Sequence, residues 1–548
     1  MSAPPPSEPP NRDPWSYPSE TVDLGTTPPD LLVSPAEEGA QRRRRRSLPI
    51  VVAVATVVAL LLGGAAFAGL RLWYGSGMQP EEAMPSTVVA FVRLDLSPGY
   101  GQRLAVNDLL KKFPREDGKD TVDELKKEIF DSLDIDEAAY HKHVEPWFAE
   151  RIGAGLWLDG KDEPYGVIAL AVKDDAAARA GLAELQRENG AEKFGFVVRK
   201  GYMLVAYGRK ASQAAAEAAG KDVDQETLAA DTLFHRGLEW LPERQMALAW
   251  VDFARFGVAL KAMTSAALDG MLEGRADDSM AGTLNPLGGL FPGMGGLTQA
   301  DALTGQLILG ARATDDGVEV HFRGFGTAPA QVGPADARST VDALPANSAI
   351  AGSLRVGDVG KELVGRMPGA TGPLPGEVFE GMPPGEAKLM RKHMQEAHDR
   401  MQAMTQGLSA VSGAKLSVAV TKVGQDDFPS FAASAETTSV DKAAALAGAL
   451  KLVGDEVSVS ASGNTVEVKA KGYAAEGGSL DGQALYRQAL EGAPEQANAV
   501  IYVDVQRLLA DADVTEEERG RATAVKAVGL ATGVDGGDQV GLLRVIIK

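Results

Sequence analysis

No cysteine occurs among the 548 residues. That absence excludes disulfide frameworks, thiolate-ligated zinc and iron–sulfur centres, and cysteine nucleophiles. Histidine is scarce, with six copies, and aromatic residues make up 6% of the chain. Positive charge is in deficit, with 55 Lys and Arg against 75 Asp and Glu, a net charge of −20. A chain this acidic lacks the electrostatic footprint of a nucleic-acid binder. The familiar chemical signatures are missing as well. There is no GxxxxGK[ST] phosphate loop, no GxSxG elbow, no HExxH and no EF-hand loop. Gly360-Lys361 is followed by Glu362, and the glycines of 288–296 do not fit GxGxxG. His141 and His143 form an HxH pair in a stretch that reads as helix or loop, where two imidazoles do not share a face. The reading is therefore no metal, no cofactor and no catalytic residue.

What is present begins with a proline-rich tail. Ten of the 30 prolines fall in residues 1–47, among apolar residues with no period, so this segment is expected to be disordered. Five arginines follow: Arg42, Arg43, Arg44, Arg45 and Arg46. Ile50–Leu70 then carries no charge. As a helix it would be about 31 Å long, close to the hydrocarbon core of a bilayer. We expect a transmembrane helix over 48–72, with the arginines as topology determinants and the tail in the cytoplasm. A cleaved signal peptide is the rival reading, since Ala66-Phe67-Ala68 has the A-x-A form; against it, the apolar run is longer than a signal h-region and lies far from the N-terminus. Ala55, Ala59 and Gly63 lie every four residues on one stripe, a surface that would permit a homodimer. Residues 1–71 hold seven basic and seven acidic groups, so the whole −20 lies beyond the span.

The remainder reads as a duplication. Strand, acidic loop, strand, helix and hairpin occur in that order over 155–208 and again over 415–470. Each half closes with a further hairpin, turning at Asp315-Asp316-Gly317 and at Asp535-Gly536-Gly537-Asp538. The expected architecture is α+β: two related halves with antiparallel hairpins, 79–326 and 345–548, joined by a linker over 327–344. Asp95, Asp252 and Asp504 each end a β-rich run, where an aspartate caps the following helix. An inserted segment from Pro368 carries Met390, Met394, Ala397, Met401, Met404 and Leu408 at helical spacing. The simpler reading is a helix packed on its own domain. The functional one is an adaptable apolar binding surface.

The proline-rich tail, the basic run before one span, and Pro85-Ser-Thr-Val-Val-Ala-Phe-Val-Arg-Leu-Asp-Leu-Ser-Pro98 leading to Leu109-Leu-Lys-Lys-Phe-Pro114 carry a resemblance. In these features the chain resembles a mainly actinobacterial family of single-pass membrane proteins, domain-of-unknown-function family 3352. The resemblance would cover most of 80–548. It implies an envelope-anchored protein and transfers no catalytic residue.

The sequence thus predicts a plasma-membrane protein that contacts the bilayer through one helix. Its exterior would be a binding or scaffold module for an envelope protein partner, without nucleic acid or cofactor. One alternative is a lipid or apolar-peptide carrier with a Met-lined lid. Another is an envelope hydrolase, because a serine–histidine–aspartate triad assembled from distant positions leaves no local trace.

Overall fold

The computed structural model describes residues 78–95, 130, 135–190, 194–207, 212–242, 245–259, 261–262, 304–326, 336–356, 392, 406–407, 409–423, 429–451, 456–511 and 522–547. All of them belong to one compact unit, Thr56–Lys548, distinct from Met1–Ala55.

Among the described residues, sixteen strands form one antiparallel sheet. In chain order they are β1 (Val88–Asp95), β2 (Phe148–Leu158), β3 (Pro164–Val172), β4 (Phe194–Arg199), β5 (Tyr202–Tyr207), β6 (Ala247–Asp252), β7 (Gln306–Thr314) and β8 (Gly317–Phe325), then β9 (Ile350–Arg355), β10 (Lys415–Lys422), β11 (Ser430–Glu436), β12 (Val457–Ser462), β13 (Thr465–Ala470), β14 (Ala497–Asp504), β15 (Val525–Asp535) and β16 (Asp538–Ile547). The spatial order is β12-β13-β11-β10-β9-β14-β15-β16-β8-β7-β6-β1-β2-β3-β5-β4. The expected α+β class, two related halves each mixing hairpins with helices, is overturned: the described residues form one predominantly antiparallel sheet. The two halves share one sheet, because β8 and β16 pair edge to edge along their length. No helix among the described residues is long and apolar enough to cross a membrane. Residues 48–72, and with them Arg42 to Arg46, Ala55, Ala59 and Gly63, lie outside the described residues.

Read outward from the β8/β16 joint, the two halves run through equivalent strands in the same order. The register at the joint is symmetric. Gly317 and Asp538 open β8 and β16, 221 positions apart, and the mutually paired His321 and Leu542 are separated by the same 221. A pseudo-two-fold axis therefore passes between those two residues. Each strand's side chains alternate between two faces, so a slip of one residue would reverse every one of them. The symmetric register keeps the faces of the two halves matched.

Local chemistry explains most elements. The hairpin turns use left-handed backbone at Lys200 and Gly201, at Gly463, and at Gly536 and Gly537. Among the helices, α1 (Glu137–His143) is capped by Asp136 and α2 (Asp175–Asn189) by Asp174. α3 (Ser212–Gln225) follows β5, and α4 (Thr232–Trp240) is capped by Asp231. In the second half, α5 (Ala337–Asp342) lies within the stretch read as a linker. Ser439 caps α6 (Val440–Leu450), and α7 (Ala484–Ala489) and α8 (Val505–Asp511) follow. Asp252 and Asp504 accept from the amides of Arg255 and Arg507, as expected of caps.

One face of the sheet, the lower face, carries the main cores of both halves. Phe91, Trp157, Trp250 and Ile308 pack there with residues of α3 and α4. Ala351, Val500, Tyr502 and Ile546 pack there with residues of α5 and α7. The cores repeat in detail. Phe234 meets Trp250 edge to face at 5.8 Å, and Tyr486 meets Tyr502 in the same way at 5.1 Å. Both pairs recur at an offset of 252.

Candidate functional site: the upper face of the central strands

The opposite, upper face holds an unbroken apolar row. Directly paired residues run from Val198 through Met203, Leu170, Ile152, Leu94, Ala247, Ala311 and Val320 to the joint. From Val320 the row continues through Leu543, Leu530, Ile501, Gly352, Val418, Ala433 and Val468 to Val459. Every strand contributes one residue and none is polar. At about 4.8 Å per strand the row is roughly 70 Å long. A parallel row two residues away runs from Phe196 to Ala461 through Leu309, Phe322, Gly541, Ala499 and Leu354, with Thr532 its one polar member.

Helices close the two ends of this face. Phe130, α1 and α2 cover Ile152, Ile168, Leu170 and Met203. Residues of α6 together with Ala410 cover Ala435 and Val466. Segment 253–259 contributes Phe253, Phe256 and Ala259 over Val251 and Leu156. Between the covered ends the apolar side chains are only half-buried at Leu309, Val320, Phe322, Leu530 and Leu543. Leu354 and Ile501 are 40% and 41% exposed. Phe322 lies flat at the joint because Gly541 is opposite; a Cβ there would sit 2.1 Å from its ring.

The lower face at the same joint is charged. Arg323 of β8 pairs with Asp538 at 3.0 Å, and its pseudo-symmetric equivalent Arg544 pairs with Asp316 at 3.2 Å. Each half thus supplies an arginine to the other's hairpin. Arg544 also reaches Glu491 at 3.2 Å and Glu319 at 3.5 Å. A hydrogen bond with the His321 ring, opposed by burial and reinforced by Arg312 and Arg544, brings the Glu319 carboxyl down to about 2. Arg323 also lies 5.5 Å from the Trp240 ring. A second buried cluster grips the chain near Met78. Glu81 pairs with Arg93, and the Tyr202 hydroxyl and Arg151 both donate to the Met78 carbonyl. Burial raises the Glu81 carboxyl above its ordinary range although Arg93 opposes it.

Among the described residues, His141, His143, His235 and His321 form no common metal-ligand cluster. His141 is exposed beside Glu145, whereas His143 is buried near Glu188. No group of metal ligands forms among the described residues. His393 and His398, and the predicted surface Met390, Met394, Met401, Met404 and Leu408, lie outside the described residues. Gly407 packs against Ala449 of α6.

Sequence reasoning missed Leu354, Ile501, Phe322 and Leu543. A signal was available in the closing hairpins. Gln539-Val-Gly-Leu-Leu-Arg-Val-Ile-Ile547 is apolar on both faces, the pattern of an interior strand and not of a domain edge. Scans of family models, curated proteins and solved structures find no match to this chain.

Proposed function

We propose that this chain is a non-catalytic binding protein of the cell envelope, and that the open upper face of its sheet carries an apolar ligand of the acyl-chain class. The observation that carries the reading is the apolar row from Val198 to Val459 and the row beside it, with Ile501 of the first and Leu354 of the second exposed between the covered ends. An exposed contiguous apolar patch rimmed by covered ends is characteristic of a binding surface. The face offers almost no polar group to orient a head group, so the ligand is held by burial of its hydrocarbon. Placement at the plasma membrane rests on Arg42 to Arg46 and the uncharged Ile50–Leu70.

The test is extraction of the full chain in mild detergent, native mass spectrometry, and titration with a fluorescent fatty acid. Retained lipid and saturable probe binding are expected. The double substitution Leu354→Gln, Ile501→Gln should weaken probe binding by about tenfold, since roughly 1.4 kcal/mol of apolar burial is removed. Absence of both lipid and probe binding would reject the carrier reading. Stoichiometric recovery of a protein on this face without lipid would instead make the chain a scaffold.

A further inference from the structure

The two outer edges of the sheet are equivalent by the duplication but are treated in opposite ways. At β4 the edge is blocked. Gln213 of α3 accepts from the Phe196 amide at 3.1 Å and donates to the Phe196 carbonyl at 3.3 Å, so its side-chain amide occupies the place of a neighbouring strand. Gln186 of α2 donates to the Phe194 carbonyl at 2.7 Å. The second half has no counterpart of α3. Its chain passes from the end of β13 at Ala470 to the turn at Leu480 within nine residues. The equivalent edge strand β12 reads Val-Ser-Val-Ser-Ala-Ser, and Val459 stands where Phe196 stands in β4. No hydrogen bond is made on the outer side of β12 among the described residues. It also lacks the usual protections of an edge, having no lysine, no proline and no bulge.

We propose that β12 is a homodimer interface, pairing antiparallel with β12 of a second copy across a two-fold axis at Val459. The β12–β13 register, closed by Ser462 opposite Thr465, turns the N–H and C=O of Val457, Val459 and Ala461 outward. With the axis at Val459, that residue exchanges two hydrogen bonds with its own copy, and Val457 does so with Ala461 of the second chain. A two-fold axis normal to the sheet keeps upper face with upper face, so the apolar row ending at Val459 continues into the second copy. Self-complementarity selects a second copy as the occupant: the pairing sets apolar Val457 against Ala461 on one face and Ser458 against Ser460 on the other, so no charge faces another across the axis although the −20 of each chain opposes association overall. Because β4 is blocked, pairing stops at two copies and cannot propagate into a fibre. The pairing stands independently of what the upper face carries.

The chain has no cysteine, so one introduced thiol reports the register without interference. In the full-length protein in detergent, Val459→Cys should form a disulfide-linked dimer on mild oxidation, since mutually hydrogen-bonded residues lie about 5.5 Å apart at Cα. Val457→Cys should not, because its neighbour across the axis is Ala461. Light scattering should show the unmodified chain as a dimer. The exposed double substitution Ser458→Lys, Ser460→Lys places lysines opposite each other across the axis and should weaken the dimer by at least about tenfold. Ser458→Glu, Ser460→Lys places opposite charges there and should retain it. A monomeric unmodified chain, a dimer indifferent to the lysine pair, or equal crosslinking at 457 and 459 would overturn the proposal.

Discussion

Glu319 is the residue whose ionisation matters most to the joint. Its carboxyl sits at about 2, against an ordinary value near 4.5, through His321, Arg312 and Arg544. A depressed acid stabilises the fold fully above its unfolded value and loses that contribution as pH falls through the folded one. Stability should therefore fall between about pH 4.5 and 2 by roughly 3 kcal/mol from this group. Glu319→Gln should lose a similar amount at pH 7 and flatten that stretch of the acid-unfolding profile, which urea titrations at several pH values would show. Gly529 makes a different kind of demand. A Cβ there would lie 2.2 Å from the Ala489 carbonyl oxygen, and backbone cannot move aside as a side chain can. Gly529→Ala should cost about 2 kcal/mol, read as a shift in urea midpoint at constant slope.

Among elements, the repeated contacts show compensation. In the first half Gly237 of α4 lies under Ile308 of β7; in the second, Ala489 of α7 lies over Gly529 of β15. These are the same two positions with the small residue exchanged between helix and strand. The pairs should consequently be non-additive: Gly237→Ala should be costly alone and much cheaper combined with Ile308→Val, measured as a double-mutant cycle. Much at this scale was legible in the sequence. The four hairpin turns, the caps at Asp252 and Asp504, and helices over 175–189 and 440–450 follow from Gly and Asp chemistry acting within a few residues. The loss of α3 in the second half was visible only as a length difference. Its consequence, an edge strand with free outward backbone groups, depends on which strand ends up outermost.

For the whole molecule, the β8/β16 joint decides the architecture. It merges two halves into one sheet and ties them with reciprocal pairs, Arg323 to Asp538 and Arg544 to Asp316. Arg544→Met would leave Glu319 with fewer partners and Asp316 without its guanidinium, and should cost about 3 kcal/mol. Calorimetry should then show the single cooperative transition broadening or dividing as the halves uncouple. The continuous upper face belongs to this scale as well. Neither half alone has a row 70 Å long, and Leu354, Ile501, Phe322 and Leu543 come from four different strands of two halves.

By itself the sequence determined the elements, their duplication and their turns, because alternation, capping and left-handed glycines act between residues close along the chain. It also determined the absence of thiol chemistry. Only the tertiary structure decided that the halves join through their closing hairpins, that one face stays apolar across all sixteen strands, and that one edge is blocked while the other is open. Those outcomes depend on pairing between residues more than two hundred positions apart. Backbone hydrogen bonds, which any residue but proline can make, carry that pairing, so the apolar pattern of 539–547 marks an interior strand without naming its partner.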